Sequence, residues 1–377
     1  MTRKIIQGML IVGSLVIVPE LSSAAVVFET DFEDVQDWVI PYPPKGQTVG
    51  YTWELDHGTL GMPPPKKNDG TQLYDLYRVG ASLFDAPYTG NAYEIANLHG
   101  KNNSRGLLYN EQVSGCYDTT CYSGGSPMVI WLGEQGYEDI YVRFNLRYQT
   151  GWKWSDPAVA ATPGAIEKII RISRFNGIPG DGLMQGPFGA AYELMPVWIP
   201  TWYQYLSVTP SYTMFNNQER RAPGYIENAY TTNELYTQTP SYYPVAPSLL
   251  TEYNPDHQAR SFLWPSDGNW HNYEFRAKIN SAPGSADGMV EVWIDGVKVF
   301  SKNNVPWVLA GGDMSRYWNI IDVLDNADLT AYSLADHVTQ KKYLDDVVVS
   351  TSYVGPDYVI GATDSIAPAA PSGLVVQ

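Results

Sequence analysis

The residues best suited to chemistry are the cations of one stretch of chain. Between positions 141 and 174 stand six of them, Arg143, Arg147, Lys153, Lys168, Arg171 and Arg174, against two carboxylates, Asp156 and Glu167, a local net of +4 in a chain whose formal net charge is −16. Arg143, Asn145 and Arg147 alternate with Val142, Phe144 and Leu146, a pattern that puts the three polar residues on one face of a strand. Cations and amides on one face suit an anion. Neutralising a bound carboxylate acidifies the carbon beside it, and a base and an acid then complete a β-elimination. Arg143, Asn145, Lys168 and Arg171 are the candidates for neutralisation. Tyr141, Tyr148 and His271 are the candidates for proton transfer. The same residues would equally make a solvated strand face with ion pairs. His271 falls by parity with Tyr273 and Phe275, on the core side, where a hydrogen-bonded structural histidine is the competing reading.

The aromatic residues offer a second chemistry. The chain has 28 Tyr and 12 Trp, and aromatics make up 13% of it. Exposed Tyr and Trp give flat apolar faces on which sugar rings stack, with a polar tip for hydroxyls. Trp152, Trp154, Trp202, Tyr203, Trp270 and Trp293 are the candidates. Trp270 and Trp293 fall opposite the apolar alternation, so they line a groove or shield the outside of a sheet. Strands are also rich in aromatics for packing alone.

The ends of the chain bear on where this chemistry takes place. Arg3 and Lys4 precede an almost purely apolar run from Ile5 to Val18, and Ser22-Ser23-Ala24 follows. This is the layout of a cleaved export signal, and the run is too short for a stable membrane span. The expectation is a secreted protein, soluble once residues 1–24 are removed. Removal takes away Arg3, Lys4 and Glu20, a net of +1, and leaves −17. Such an acidic balance excludes a general nucleic-acid binder. Cys116 and Cys121 read, in an exported protein, as one small disulfide loop. Residues 362–377 are small and proline-rich at first, as linkers are, and end on a stretch like the opening strand of a fibronectin type III module.

The elements that must position these residues are strands. Period-two alternation recurs at 28–33, 141–147, 270–279 and 290–295, and Val347-Val348-Val349 forms a short apolar run. Asp295-Gly296 between two apolar runs predicts a hairpin turn. A short helix is expected only within 324–334. Many short strands joined by Gly- and Pro-rich turns predict an all-β, antiparallel β-sandwich. The expected organisation is one sandwich over 25–361, interrupted by an aromatic-rich insertion at about 176–265.

Several segments carry a resemblance. Phe28-Glu-Thr-Asp-Phe-Glu, Gly100-Lys-Asn-Asn-Ser-Arg-Gly-Leu-Leu, Tyr137-Glu-Asp-Ile-Tyr-Val-Arg-Phe, Trp270-His-Asn-Tyr-Glu-Phe, Asp287-Gly-Met-Val-Glu-Val-Trp-Ile-Asp-Gly and Tyr343-Leu-Asp-Asp-Val-Val-Val-Ser-Thr resemble, in order, strands of concanavalin A-like jelly-roll domains. The set is similar to secreted polysaccharide lyases and their uncharacterised bacterial relatives. The resemblance implies a polysaccharide partner, either cleaved by β-elimination or held by a non-catalytic binding module at a cell surface or matrix. A structural exoprotein is the third reading. It also implies that first and last strands are neighbours, so that Glu29, Asp31 and Asp346 would converge on a structural Ca2+ ion. Solvated acidic edges are the alternative.

Overall fold

The computed structural model describes residues 25–42, 48–51, 63–74, 76–80, 90–113, 122–152, 166–167, 169–175, 192–203, 206–216, 267–305, 307–308, 310–311, 314–324, 327–328 and 338–361, some of the strands as backbone alone. In chain order the strands are β1 (Val26–Thr30), β2 (Trp38–Pro41), β3 (Thr48–Tyr51), β4 (Leu76–Gly80), β5 (Asn91–Asn97), β6 (Arg105–Val113), β7 (Tyr122–Trp131), β8 (Asp139–Tyr148), β9 (Ile166–Glu167), β10 (Ile170–Phe175), β11 (Tyr192–Tyr203), β12 (Leu206–Asn216), β13 (His271–Lys278), β14 (Gly288–Ile294), β15 (Val297–Val305), β16 (Ile320–Val323), β17 (Ala327–Asp328) and β18 (Val338–Ser350).

They form two nine-stranded antiparallel sheets. The first runs β15-β14-β13-β8-β18-β6-β5-β2, with β1 paired to β18. The second runs β16-β10-β11-β9-β17-β7-β4-β3, with β12 on β11 and a further pairing of β16 to β7. The crossovers between strands distant in sequence give the concanavalin A-like jelly roll rather than a stack of hairpins.

Alternation decides what lies between the sheets. Val142, Phe144 and Leu146 of β8, Tyr273 and Phe275 of β13, and Val292 and Ile294 of β14 point inward from the first sheet. Met128, Ile130, Ile170, Ile172, Ile321 and Val323 meet them from the second, in one continuous buried cluster. Fully burying a side chain of this size stabilises by roughly 1.5–3 kcal/mol. Among the described residues the same interior holds an ion pair. Lys342 and Glu111 lie 2.8 Å apart with side chains 0% and 2% exposed, and the ammonium sits 4.3 Å from the Tyr109 ring centroid.

The turn at Asp295-Gly296 is the expected hairpin. Both residues have positive φ, 50° and 77°, as the turn that best matches strand twist requires. A side chain at Gly296 would also meet the Pro356 ring at 3.0 Å. One expectation changes. The short helix expected within 324–334 is not formed where the chain is described: Leu324 has φ 59° and β17 follows. The stretch read as an insertion supplies β11 and β12, which pair with each other along most of their length and extend the second sheet. Its Tyr, Pro and Thr content hides period two because few of its residues are plainly apolar or plainly charged.

Candidate functional site

The outward face of the first sheet is divided into a covered part and an open part. Both are built on β8, whose outward residues are Tyr141, Arg143, Asn145 and Arg147.

The open part is a row of side chains across the strands. Tyr343 of β18 is directly opposite Arg147 on one side and Leu108 of β6 on the other. Glu94 of β5 is opposite Leu108. Trp270, just before β13, completes the row beside Arg147. The Arg147 guanidinium carbon is 4.1 Å from the Tyr343 ring centroid and 5.0 Å from that of Trp270. All three side chains are half-buried. His99 leans on Tyr343, with centroids 6.1 Å apart, and lies 3.7 Å from Glu94. Burial, with Lys341 and Arg147 nearby, holds the His99 imidazole below its ordinary value against the pull of Glu94. Arg147 is the unusual member. Its Nε is buried with no hydrogen-bond partner among the described residues, and no carboxylate there pairs with its guanidinium. A half-buried cation with no carboxylate partner among the described residues, stacked on two rings, has the chemistry to take an anion.

The covered part lies under residues 351–358, which leave β18 and cross the sheet. Val354 and Gly355 donate their backbone N–H groups to the two oxygens of Glu274, at 2.7 and 2.8 Å. Arg143 donates to the carbonyls of Asp346 and Pro356, and Tyr358 donates to Glu29. Tyr353 packs on Trp293 and Tyr141, with centroids 5.1 and 6.5 Å away. Burial pushes the Glu274 carboxyl up to about 7 despite those N–H donors and Arg143.

The sequence candidates therefore separate. Arg143, Asn145 and Arg147 do share one strand face, but Arg143 is 1% exposed and engaged by the covering segment. Asn145 is buried, donating to Asp346 at 2.6 Å and accepting from Asn272. Tyr141 is buried, and burial drives its phenol far above the ordinary range, which unfits it as a base at neutral pH. Arg171 belongs to the second sheet, 3.8 Å from Asp322 directly across on β16, so Arg143 and Arg171 do not meet. His271 is held between two carboxylates, Nδ1 2.7 Å from Asp295 and Nε2 3.2 Å from Asp267. Trp293 and Trp152 are 1% and 3% exposed, which leaves no ring face for a sugar. Their flat faces are spent on Tyr141 and Tyr353, and on Tyr148, respectively. Of the aromatic candidates, Trp270 stands in the open row. Lys168, Trp154, Cys116, Cys121 and residues 1–24 lie outside the described residues, and Trp202 and Tyr203 lie in β11, described as backbone alone.

The calcium candidates Glu29, Asp31 and Asp346 each accept a separate hydrogen bond, from Tyr358, from the Glu33 N–H and from Asn145 respectively. β1 and β18 are neighbours as expected. Among the described residues no group of three or more His, Cys, Asp or Glu is placed to hold a metal. Nor is any helix there long and apolar enough to cross a membrane. Tyr343 was missed as a site residue because Tyr343-Leu-Asp-Asp reads as scaffold; its parity with Asp345, opposite Leu344, was the available signal.

No protein-family profile matches the chain, and no curated protein matches it. Among solved structures it is similar to the marine PL-14 alginate lyase from Aplysia kurodai, at 11% identity and TM-score 0.36 over 68% of this chain and 86% of that one. It is also similar to alginate lyase Aly36B in complex with alginate trisaccharide, at 11% identity and TM-score 0.36 over 68% and 83%. An endo-1,3-beta-glucanase from Streptomyces sioyaensis is similar at 12% identity and TM-score 0.35 over 87% and 96%. Likeness at this level carries no argument about activity. The fold rests on the strand pairing, and the function on the site.

Proposed function

We propose that this chain is an exported protein that recognises a carboxylated polysaccharide along the open row of the first sheet. The observation that supports it is Arg147, a cation without an anionic partner among the described residues, set against the half-buried rings of Trp270 and Tyr343, which touch each other edge to face at 6.5 Å. The adjoining rings would stack a sugar face while the guanidinium beside them takes the carboxylate. Lys341, exposed on the same sheet, adds positive charge to this local exception in an acidic molecule. Binding is favoured over β-elimination, because neither Tyr141 nor His271 stands free beside a cation.

The test is calorimetric titration of alginate, glucuronan and pectate oligosaccharides, with and without calcium, alongside absorbance of unsaturated products. Binding to at least one, lost in Arg147→Ala, supports the reading. Equal binding by wild type and Arg147→Ala would remove the site. Rising absorbance would make the protein a lyase instead.

A further inference from the structure

The covering segment has the character of a bound peptide. Past Thr351, whose N–H reaches the Ala25 carbonyl, its described attachments to the sheet are made by side chains: Glu274, Arg143, Glu29 and the Tyr141–Trp293 pair. A single carboxylate holds both the Val354 and Gly355 N–H groups. The surface beneath repeats the chemistry of the open row. Trp293 and Tyr141 lie side by side with centroids 6.1 Å apart, Lys298 is 4.9 Å from the Trp293 ring and Arg276 is 5.1 Å from that of Tyr141. Arg143 stands four residues from Arg147 on the same strand face, about 13 Å along it.

The segment also fills this surface imperfectly. Trp293 Nε1 and Arg143 Nε are both buried with no hydrogen-bond partner among the described residues, on side chains that are each 1% exposed. A buried donor left without an acceptor is unfavourable. Tyr353 supplies a ring where a sugar ring would stack, but nothing from the segment serves those two donors.

We propose that the Tyr141–Trp293–Arg143 surface is a second sugar-binding position, closed by residues 351–358 acting as a strap. The inference rests on polysaccharide recognition at the open row. A short oligosaccharide occupies the row alone. A longer one reaches along β8, displaces Tyr353 and offers hydroxyl or carboxylate oxygens to Trp293 Nε1 and Arg143 Nε.

The experiment compares wild type with Val354→Pro, which deletes one N–H held by Glu274, and with Tyr353→Ser, which empties the ring position without altering the backbone. Circular dichroism establishes folding, and acrylamide quenching of tryptophan fluorescence reports whether Trp293 is uncovered. Disaccharides and octasaccharides of alginate, glucuronan and pectate are then titrated. The expected result is octasaccharide affinity raised about tenfold in whichever variant is folded and uncovered, disaccharide affinity unchanged, and the gain abolished by adding Trp293→Phe. An uncovered variant with no octasaccharide gain overturns the strap proposal while leaving the open row intact. Disaccharide binding insensitive to Arg147→Ala overturns the open row itself, and a gain that survives Trp293→Phe places the second position elsewhere.

Discussion

Lys342 and Glu111 face each other from adjacent strands inside the sandwich, and their 2.8 Å contact is shielded almost completely from water. Register joins them, since Lys342 is opposite Tyr109 and Gln340 opposite Glu111. An ion pair so placed gives little net stability over an apolar pair, but removing one partner takes the counter-ion from a charge that stays buried. Lys342→Met should therefore cost about 3–5 kcal/mol in urea unfolding. The double variant Lys342→Met, Glu111→Leu should recover most of the loss. A single variant as stable as wild type would show that Glu111 finds another partner.

The open row predicts a ranking of variants. Tyr343→Ala and Trp270→Ala each remove one ring beside Arg147 and should weaken binding of a carboxylated oligosaccharide by about three- to thirtyfold, from the ~0.5–2 kcal/mol range of cation–π and stacking contacts. Arg147→Lys should recover only part of what Arg147→Ala loses, because an ammonium neither stacks nor presents a planar pair of donors. Full recovery by lysine would mean that charge alone matters.

Glu274 should make folding more favourable in acid. Burial raises the Glu274 carboxyl from its ordinary 4.5 to about 7. A raised carboxylate pKa means that the folded state binds the proton more tightly than the unfolded one. Its contribution is complete below about 4.5, declines as pH rises to about 7, and is flat above that. The displacement corresponds to a stability change on the order of 3 kcal/mol. Urea unfolding should show stability falling over that window in wild type and falling less in Glu274→Gln. A profile unchanged by the substitution would assign the dependence to another group.

His271 should behave in the opposite electrostatic sense to a free histidine. Burial lowers its pKa, but hydrogen bonds and charge from Asp295 and Asp267 outweigh burial and hold it above 6.5. Burial raises Asp295 and Asp267, and their hydrogen bonds hold both below 3.8. The histidine's contribution is complete below 6.5 and is lost as pH rises through its raised value. The aspartates' contribution is present above 3.8 and is lost in acid. Thermal stability should thus peak between these limits, and Asp295→Asn should lower the His271 titration midpoint seen by nuclear magnetic resonance. An unchanged midpoint would separate the two residues energetically.

The strands were readable because period two survives in residues of clear polarity. β8 shows it in Val142, Phe144 and Leu146 against Arg143, Asn145 and Arg147, and the hairpin at Asp295-Gly296 follows from two residues that tolerate positive φ. What parity cannot tell is whether an outward face meets water. Arg143 and Arg147 have the same parity and the same side chain, yet one lies under the segment after β18 and the other stands half open. Trp293 and Trp270 divide in the same way. The cause is contacts of residues 354–356 with Glu274, 80 positions earlier, and with Arg143, 213 positions earlier, for which local sequence carries no mark. Arg171 was grouped with Arg143 by closeness along the chain, but β8 and β10 belong to opposite sheets.

The place of β18 in the first sheet has a consequence for how the molecule is made. It lies between β8 and β6 and also carries β1, although it is the last described strand in chain order. During synthesis the β5–β6 edge and the β8–β13–β14 group therefore emerge as separate halves with a missing centre. Long-range pairings of this kind form slowly, and unpaired edges attract other chains. The nascent chain must stay unjoined until residue 350 has left the ribosome, so substitutions in Val347-Val348-Val349 should reduce yield through aggregation before they alter the properties of any molecule that completes folding.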